Sequence, residues 1–305
     1  MDGIDMSKIV LGVNNGFAIK NWPEPSNWAK IISDELKIKE VQFSFDLLDP
    51  RTPEPQRSIF CEEILKETKK REIIIRTTFT GLIIYSQNHL AHPNSWNREQ
   101  AFQWFKSALE LTSKLGAEGA GGYIGGMSIS DLHNAARKKV IYSAMLSAVK
   151  ELTKVASVLG LKYFLWELMP KPGEIPHTPE EALELVEELN TDSNVPVQIC
   201  FDLGHTSSYD LESAGNPYIW LEKLLPVTSM IHLQQTDGKG DRHWPFTPEF
   251  NSKGIIEPKR VVEIVKTSRL EKIDLILELS HPLDVHPQKI IDDYKYSIEK
   301  WLECI

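Results

Sequence analysis

The chain has 305 residues, 41% of them hydrophobic and 25% charged, with a formal net charge of −9. This composition belongs to globular proteins with a large core, and the acidic balance argues against a nucleic-acid partner, which leaves a basic footprint. Cys61, Cys200 and Cys304 are too few and too scattered for a disulfide framework, no apolar run reaches the length of a membrane span, and the opening MDGIDMSKIVLG carries acids where a signal peptide needs bases, so the expectation is a cytoplasmic protein with free thiols.

Apolar, β-rich runs recur along the chain. In order they are KIVLGV (8–13), EVQFSF (40–45), IIIRTTF (73–79), GAGGYIG (119–125), KYFLWEL (162–168), PVQICFD (196–202), SMIHLQ (229–234) and DLILEL (274–279). Most are apolar nearly throughout, as strands buried on both faces are. The fourth is weak, and its glycines suggest close packing or backbone approach to a ligand.

Helical patterns separate the strands: SNWAKIISDELK (26–37), PEPQRSIFCEEILKETKKR (53–71), REQAFQWFKSALELTSKLG (98–116), SAMLSAVKELTKVASVLG (143–160), TPEEALELVEELN (178–190) and PKRVVEIVKTSRL (258–270). Gly116 and Gly160 are suitable C-terminal caps, and Thr178-Pro179 with Glu181 is a good helix start. Strands alternating with helices through the whole chain predict an α/β fold, a single (β/α)₈ TIM barrel spanning residues 1–305. A doubly wound open sheet would want a glycine-rich phosphate fingerprint after an early strand, and LGVNNGFA is not one.

Such barrels place their chemistry at the C-terminal ends of the strands. Strand five ends at Glu167, strand six at Asp202 with His205 three residues on, strand seven contains His232, and strand eight ends near Glu278. Successive members are each separated by roughly one βα unit, which takes ~30 or more residues. Taken singly, each has a bland reading as a buried ion pair, a loop cap or a core histidine. Together they bring three carboxylates to one rim, where they repel unless protonated or bound to a cation. Oxygen-rich ligands with one imidazole suit a single divalent metal ion, Mn²⁺ first, with Mg²⁺, Co²⁺ or Zn²⁺ as alternatives.

This series resembles the xylose isomerase-like TIM barrels: a Glu on strand five, Asp-x-x-His on strand six, His on strand seven and Glu on strand eight. That superfamily includes ketose 3-epimerases and an abasic-site endonuclease. The stretches TFTGLIIYSQN, HLQQTDGKGDRHWPFTPEF and FSFDLLDPRTPEP are similar to the branch handling tetrulose phosphates, the erythrulose-1-phosphate 3-epimerases. The resemblance implies that Glu167, Asp202, His232 and Glu278 are metal ligands, that Glu167 and Glu278 are the acid/base pair, and that His205 and Arg242 contact substrate oxygens. The substrate is then a small ketose or ketose phosphate, epimerised or isomerised through a metal-stabilised enediolate.

The loop after strand seven adds Lys239 as a point charge, Arg242 as a planar fork, His243 as a further oxygen partner and Trp244 as a water-excluding wall, with Gly238 and Gly240 for a tight turn. An exposed charged turn is the bland alternative. Asn14 and Asn15, after strand one, suit either substrate contact or a turn. The competing function is a metal-dependent phosphodiester hydrolase of the endonuclease type. Asp241-Arg242-His243 resembles that enzyme's extra zinc-binding Asp-x-His, but the early strand ends lack its histidines, and His89 and His92 read as surface loop residues. One metal per chain is therefore expected. A non-catalytic sugar-binding barrel ranks third, and the sequence leaves a homo-oligomer open.

Overall fold

The computed structural model describes residues 8–207, 215–268 and 271–305. Eight parallel strands close into a barrel in chain order, β1 pairing with both β2 and β8. They are β1 Lys8–Asn14, β2 Glu40–Ser44, β3 Ile74–Phe79, β4 Gly119–Gly122, β5 Tyr163–Leu168, β6 Val197–Asp202, β7 Thr228–Leu233 and β8 Lys272–Leu277. The helices are α1 Pro25–Lys30, α2 Gln56–Lys70, α3 Ser95–Lys114, α4 Ile129–Leu132, α5 Ala135–Val158, α6 Pro179–Asn190, α7 Pro217–Leu224, α8 Pro248–Asn251, α9 Pro258–Val265 and α10 Pro287–Leu302. The (β/α)₈ reading holds. The helices α4 and α8 are single turns that decorate βα loops. Among the described residues no helix is long and apolar enough to cross a membrane.

Two apolar clusters build the molecule. The larger lies between the sheet and the surrounding helices, and the smaller fills the lumen with Phe79, Leu165, Cys200, Met230 and Ile276. The barrel is therefore a packed core with a polar rim, not a channel. The expected helix stops are present: Gly116 and Gly160 adopt φ +71° and +76° just beyond α3 and α5. Thr178 caps α6 by accepting from the Glu181 backbone N–H at 3.1 Å.

Some expectations shift. Strand four ends at Gly122, not residue 125. The first helix widens at residues 31–35 into a π turn. The last two residues of the expected 258–270 helix, like the N-terminal acids, lie outside the described residues. His89 is buried, with Nε2 2.9 Å from the Ile84 carbonyl oxygen and its ring edge-on to Phe105, while His92 is half-buried. Trp104 and Phe105, adjacent residues of α3, pack their rings against His89, with centroids 6.5 and 6.1 Å away, and cover it from solvent.

Candidate active site

The C-terminal ends of β5 to β8 meet at one point. Glu167, Asp202, His232 and Glu278 each offer an atom, and these atoms lie within 4.8 Å of one another. Sheet register does much of this work, because Asp202 is paired directly with His232 across β6 and β7. From His232 Nδ1 the distances are 2.9 Å to Glu278 Oε2, 3.5 Å to Glu167 Oε1 and 3.9 Å to Asp202 Oδ2. The shortest is a close approach without hydrogen-bond alignment, for Nδ1 has no hydrogen-bond partner. Glu167 Oε1 and Asp202 Oδ2 are also buried and unpartnered.

Orphaned buried acceptors are rare because each forfeits its hydration. Three on neighbouring strands, all facing one space, fit a divalent cation. The remaining atoms of the same side chains are held. Gln42 Oε1 lies 3.0 Å from His232 Nε2, which leaves Nδ1 for the cluster. Asn14 Nδ2 donates to Gln42 Oε1 at 2.7 Å and to Glu278 Oε1 at 2.9 Å. Asp202 Oδ1 accepts from the Gly204 backbone at 2.6 Å and from Gln234 Nε2 at 2.7 Å. The Tyr85 hydroxyl donates to Glu167 Oε2. Outer partners of this kind fix the tautomer and orientation of ligand side chains.

A second group lies beside the first: Asp202, His205 and His243 also have ligand spacing. Its atoms are mostly spoken for. His205 Nδ1 sits 2.6 Å from the Leu168 carbonyl oxygen and His243 Nδ1 3.0 Å from that of Glu278. Their Nε2 atoms face Asp241 at 3.5 and 3.2 Å. Burial works against charge on His243, but Asp241 outweighs it and raises the imidazole to about 10. Burial likewise opposes ionisation of Asp241, and His243 and His205 reverse that, holding its carboxyl well below the usual range. Burial, joined by the nearby Asp241, drives the Asp202 carboxyl upward against the pull of His205 and His243. Gln234 ties the two groups together through Asp202 and Asp241, the latter at 2.6 Å.

Above the cluster opens a cavity of about 640 Å³. Glu167, Glu278, His205, His243, Asp241, Asn14 and Tyr85 line it, and so do the cations Lys20 and Lys171. Lys239, Arg242 and Trp244 do not. Gly238, at φ +70°, turns the loop, and Arg242 is folded back onto Asp237, with Nε and Nη2 at 3.0 and 3.2 Å from its two oxygens. The guanidinium also lies 5.4 Å from the centre of the Trp244 ring. Asp237 is thus the counter-ion that the loop's sequence supplies five residues ahead, and Lys239 stays exposed beside it. Gln42 and Tyr85 had escaped sequence reasoning. Gln42 had a signal, a lone amide inside an apolar strand. Tyr85 had none, since it stands on a short 3₁₀ turn, Ile84–Ser86, in an irregular loop.

Residues 35–303 match the family model described as xylose isomerase-like TIM barrel. Over 300 residues the chain is 22% identical to the D-erythrulose 1-phosphate 3-epimerase of Brucella abortus (strain 2308), covering 96% of this chain and 95% of that one. It superposes with a TM-score of 0.89 and 28% identity on a Rhodospirillum rubrum ATCC 11170 protein provisionally named a xylose isomerase, over 98% of this chain and 100% of that one. A D-psicose 3-epimerase of Clostridium cellulolyticum H10, solved with D-tagatose, gives a TM-score of 0.65 at 16% identity, covering 96% and 90% of the two chains.

Proposed function

This chain belongs to the xylose isomerase-like TIM barrel family, and on that footing we propose that it is a metal-dependent isomerase that epimerises a small ketose or ketose phosphate, with D- and L-erythrulose 1-phosphate, exchanged at C3, as the leading pair. One observation carries the reading: Glu167 Oε1, Asp202 Oδ2 and His232 Nδ1, all buried and unpartnered, converge with Glu278 beneath a sugar-sized cavity. The Brucella relative's name supports the substrate class.

Glu167, Asp202, His232 and Glu278 would hold the cation, Mn²⁺ first. When bound it supplies charge stabilisation for an oxygen that becomes negative as the neighbouring carbon loses its proton. The chain's own groups do the rest. Glu167 and Glu278 come from strands three apart round the barrel, so they address a bound sugar from different sides. One takes the C3 proton; the C3–H electron pair moves between C3 and C2, giving an enediolate. The other returns a proton to the opposite face of C3, inverting the centre. His205 and His243 stand on the cavity wall where substrate oxygens would lie. Arg242, Lys239 and Trp244 form the outer part of the same loop, and Arg242 would reach a substrate only by leaving Asp237.

The test is hydrogen exchange. In deuterated water the enzyme loaded with Mn²⁺ should introduce deuterium at C3 of erythrulose 1-phosphate while interconverting the epimers, and a chelator should stop both. Absence of exchange with every small ketose and ketose phosphate tried would falsify the reading. The endonuclease alternative lacks support: β3 and β4 end without histidines, and the ring of His89 is committed to Ile84.

A further inference from the structure

The two proton-carrying carboxylates share an arrangement. Glu278 turns Oε2 toward His232 and has Oε1 held by the Asn14 amide at 2.9 Å. Glu167 turns Oε1 toward His232 and has Oε2 held by the Tyr85 hydroxyl. In each, one oxygen faces the ligand cluster and the other is engaged by a donor that lines the cavity. Asn14 is itself fixed, by Gln42 and by accepting from the Gly16 backbone N–H at 2.7 Å. Tyr85 is fixed by its ring, stacked on Tyr123 with centroids 5.2 Å apart and planes at 22°.

We propose that Tyr85 is a positioning residue for proton transfer by Glu167, holding Oε2 on the cavity side and leaving Oε1 as the oxygen that would hold a cation. A carboxylate with both oxygens free can swing into two-oxygen coordination of a cation. That would draw Oε2 away from the substrate carbon. A phenol is a protonated donor across the neutral range, and it uses one lone pair of Oε2. The second lone pair stays available for the proton. A donor placed one ångström wrong is enough to cost orders of magnitude in such a transfer. Tyr85's role rests on the epimerase reading, because it has meaning only if Glu167 moves a proton.

Tyr85→Phe removes the hydroxyl and keeps the ring stack; Tyr85→Leu, read the same way, covers the case in which Phe is not tolerated. Glu167→Gln is the reference. Each is incubated in deuterated water with either member of the C3-epimeric pair that the wild type interconverts, starting with the two erythrulose 1-phosphates. Tyr85→Phe should keep one metal per chain and a KM within about threefold, while kcat falls about 10- to 100-fold, within the range for a displaced acid/base group. The distinguishing readout is asymmetry. The epimer deprotonated by Glu167 should lose exchange and inversion together. The other, deprotonated by Glu278, should still take up deuterium but without inverting. Glu167→Gln should show the same asymmetry on the same epimer. Equal loss from both epimers, asymmetry on the epimer opposite to that of Glu167→Gln, loss of metal, or unchanged kcat would each overturn the role of Tyr85 and leave the epimerase intact. A wild type that exchanges hydrogen with neither epimer of any pair would overturn both.

Discussion

Glu278 shows how one side chain settles opposing demands. Burial pushes its carboxyl toward the neutral form, while His232 at 2.9 Å and the more distant His243 and His205 bring it below the ordinary carboxylate range. The net result favours the ionised carboxylate, the form that the proposed base needs. Glu278→Gln keeps the shape but removes the basic oxygen, and its kcat should drop by about 10³-fold, in line with acid/base contributions generally. Elemental analysis of the same sample checks that the loss is not merely loss of metal. Lys20 and Lys171 make a separate case. They are the Lys/Arg cations lining the cavity, and a phosphorylated ketose would bring a charge that needs them. Lys20→Ala and Lys171→Ala should each raise KM for the phosphorylated substrate about tenfold, or ~1.4 kcal/mol, while leaving turnover of the unphosphorylated sugar unchanged; equal effects on both sugars would argue against a phosphate role. The four residues at strand ends were legible in the sequence because a charge inside an apolar strand is costly and stands out. The lysines were not, because a loop lysine looks the same whether it faces a cavity or bulk water.

The element that tests the fold most sharply is β4. Its sequence, GAGG, is poor strand material by propensity, yet it closes the barrel between β3 and β5. The glycines act through absence: a Cβ on Gly121 would sit 2.1 Å from the Leu165 carbonyl oxygen, and one on Gly122, at φ +131°, 1.9 Å from Thr80 Oγ1. Backbone cannot yield as a flexible side chain does. Gly121→Ala should therefore cost about 3 kcal/mol, the upper part of the overpacking range, visible as a lowered denaturant midpoint; a change under about 0.5 kcal/mol would mean that β4 and β5 are less tightly joined than they look. Strand existence was readable from buried apolar runs, including this weak one. Its end was not, since Tyr123 and Ile124 continue the apolar pattern after the backbone has left the sheet. The loop after β7 gives the complementary lesson. Its charged residues signalled a site, but which of them would face inward depended on Asp237 capturing Arg242, a pairing decided by the turn's backbone.

At the scale of the whole barrel the two ends carry charge differently. The closed N-terminal end is a self-compensated network: Arg76 bridges Glu40 at 2.9 Å and Glu118 at 3.2 Å, and Lys272 pairs with Asp274 at 3.0 Å. Asp274 is incompletely compensated. Burial, only partly offset by Lys272, raises its carboxyl to about 6. The native state therefore keeps this proton longer than the unfolded chain, whose Asp titrates near ~3.9. By linkage, Asp274 makes stability fall as pH rises from about 4 to about 6, with no further change above that, by at most about 3 kcal/mol. Asp274→Asn should remove this segment of the pH–stability curve and leave the active site alone. The open end differs, because the buried oxygens Glu167 Oε1 and Asp202 Oδ2 have no hydrogen-bond partner, and a cation would supply one. Ligands from β5, β6, β7 and the residue after β8 would then be joined through one ion, fastening half of the barrel's circumference. At 100 times its Kd, a metal that binds only the folded state adds about 2.7 kcal/mol. For a chain of this size that corresponds to a rise of about 5 °C in melting temperature, at roughly 2 °C per kcal/mol. Mn²⁺ titrated into chelator-treated protein should produce that rise, and Asp202→Asn, which replaces the orphaned carboxylate oxygen without touching Glu167 or Glu278, the proposed proton carriers, should abolish most of it. A melting temperature that ignores Mn²⁺, Mg²⁺, Co²⁺ and Zn²⁺ alike would mean that the converging orphaned atoms do not form a cation site.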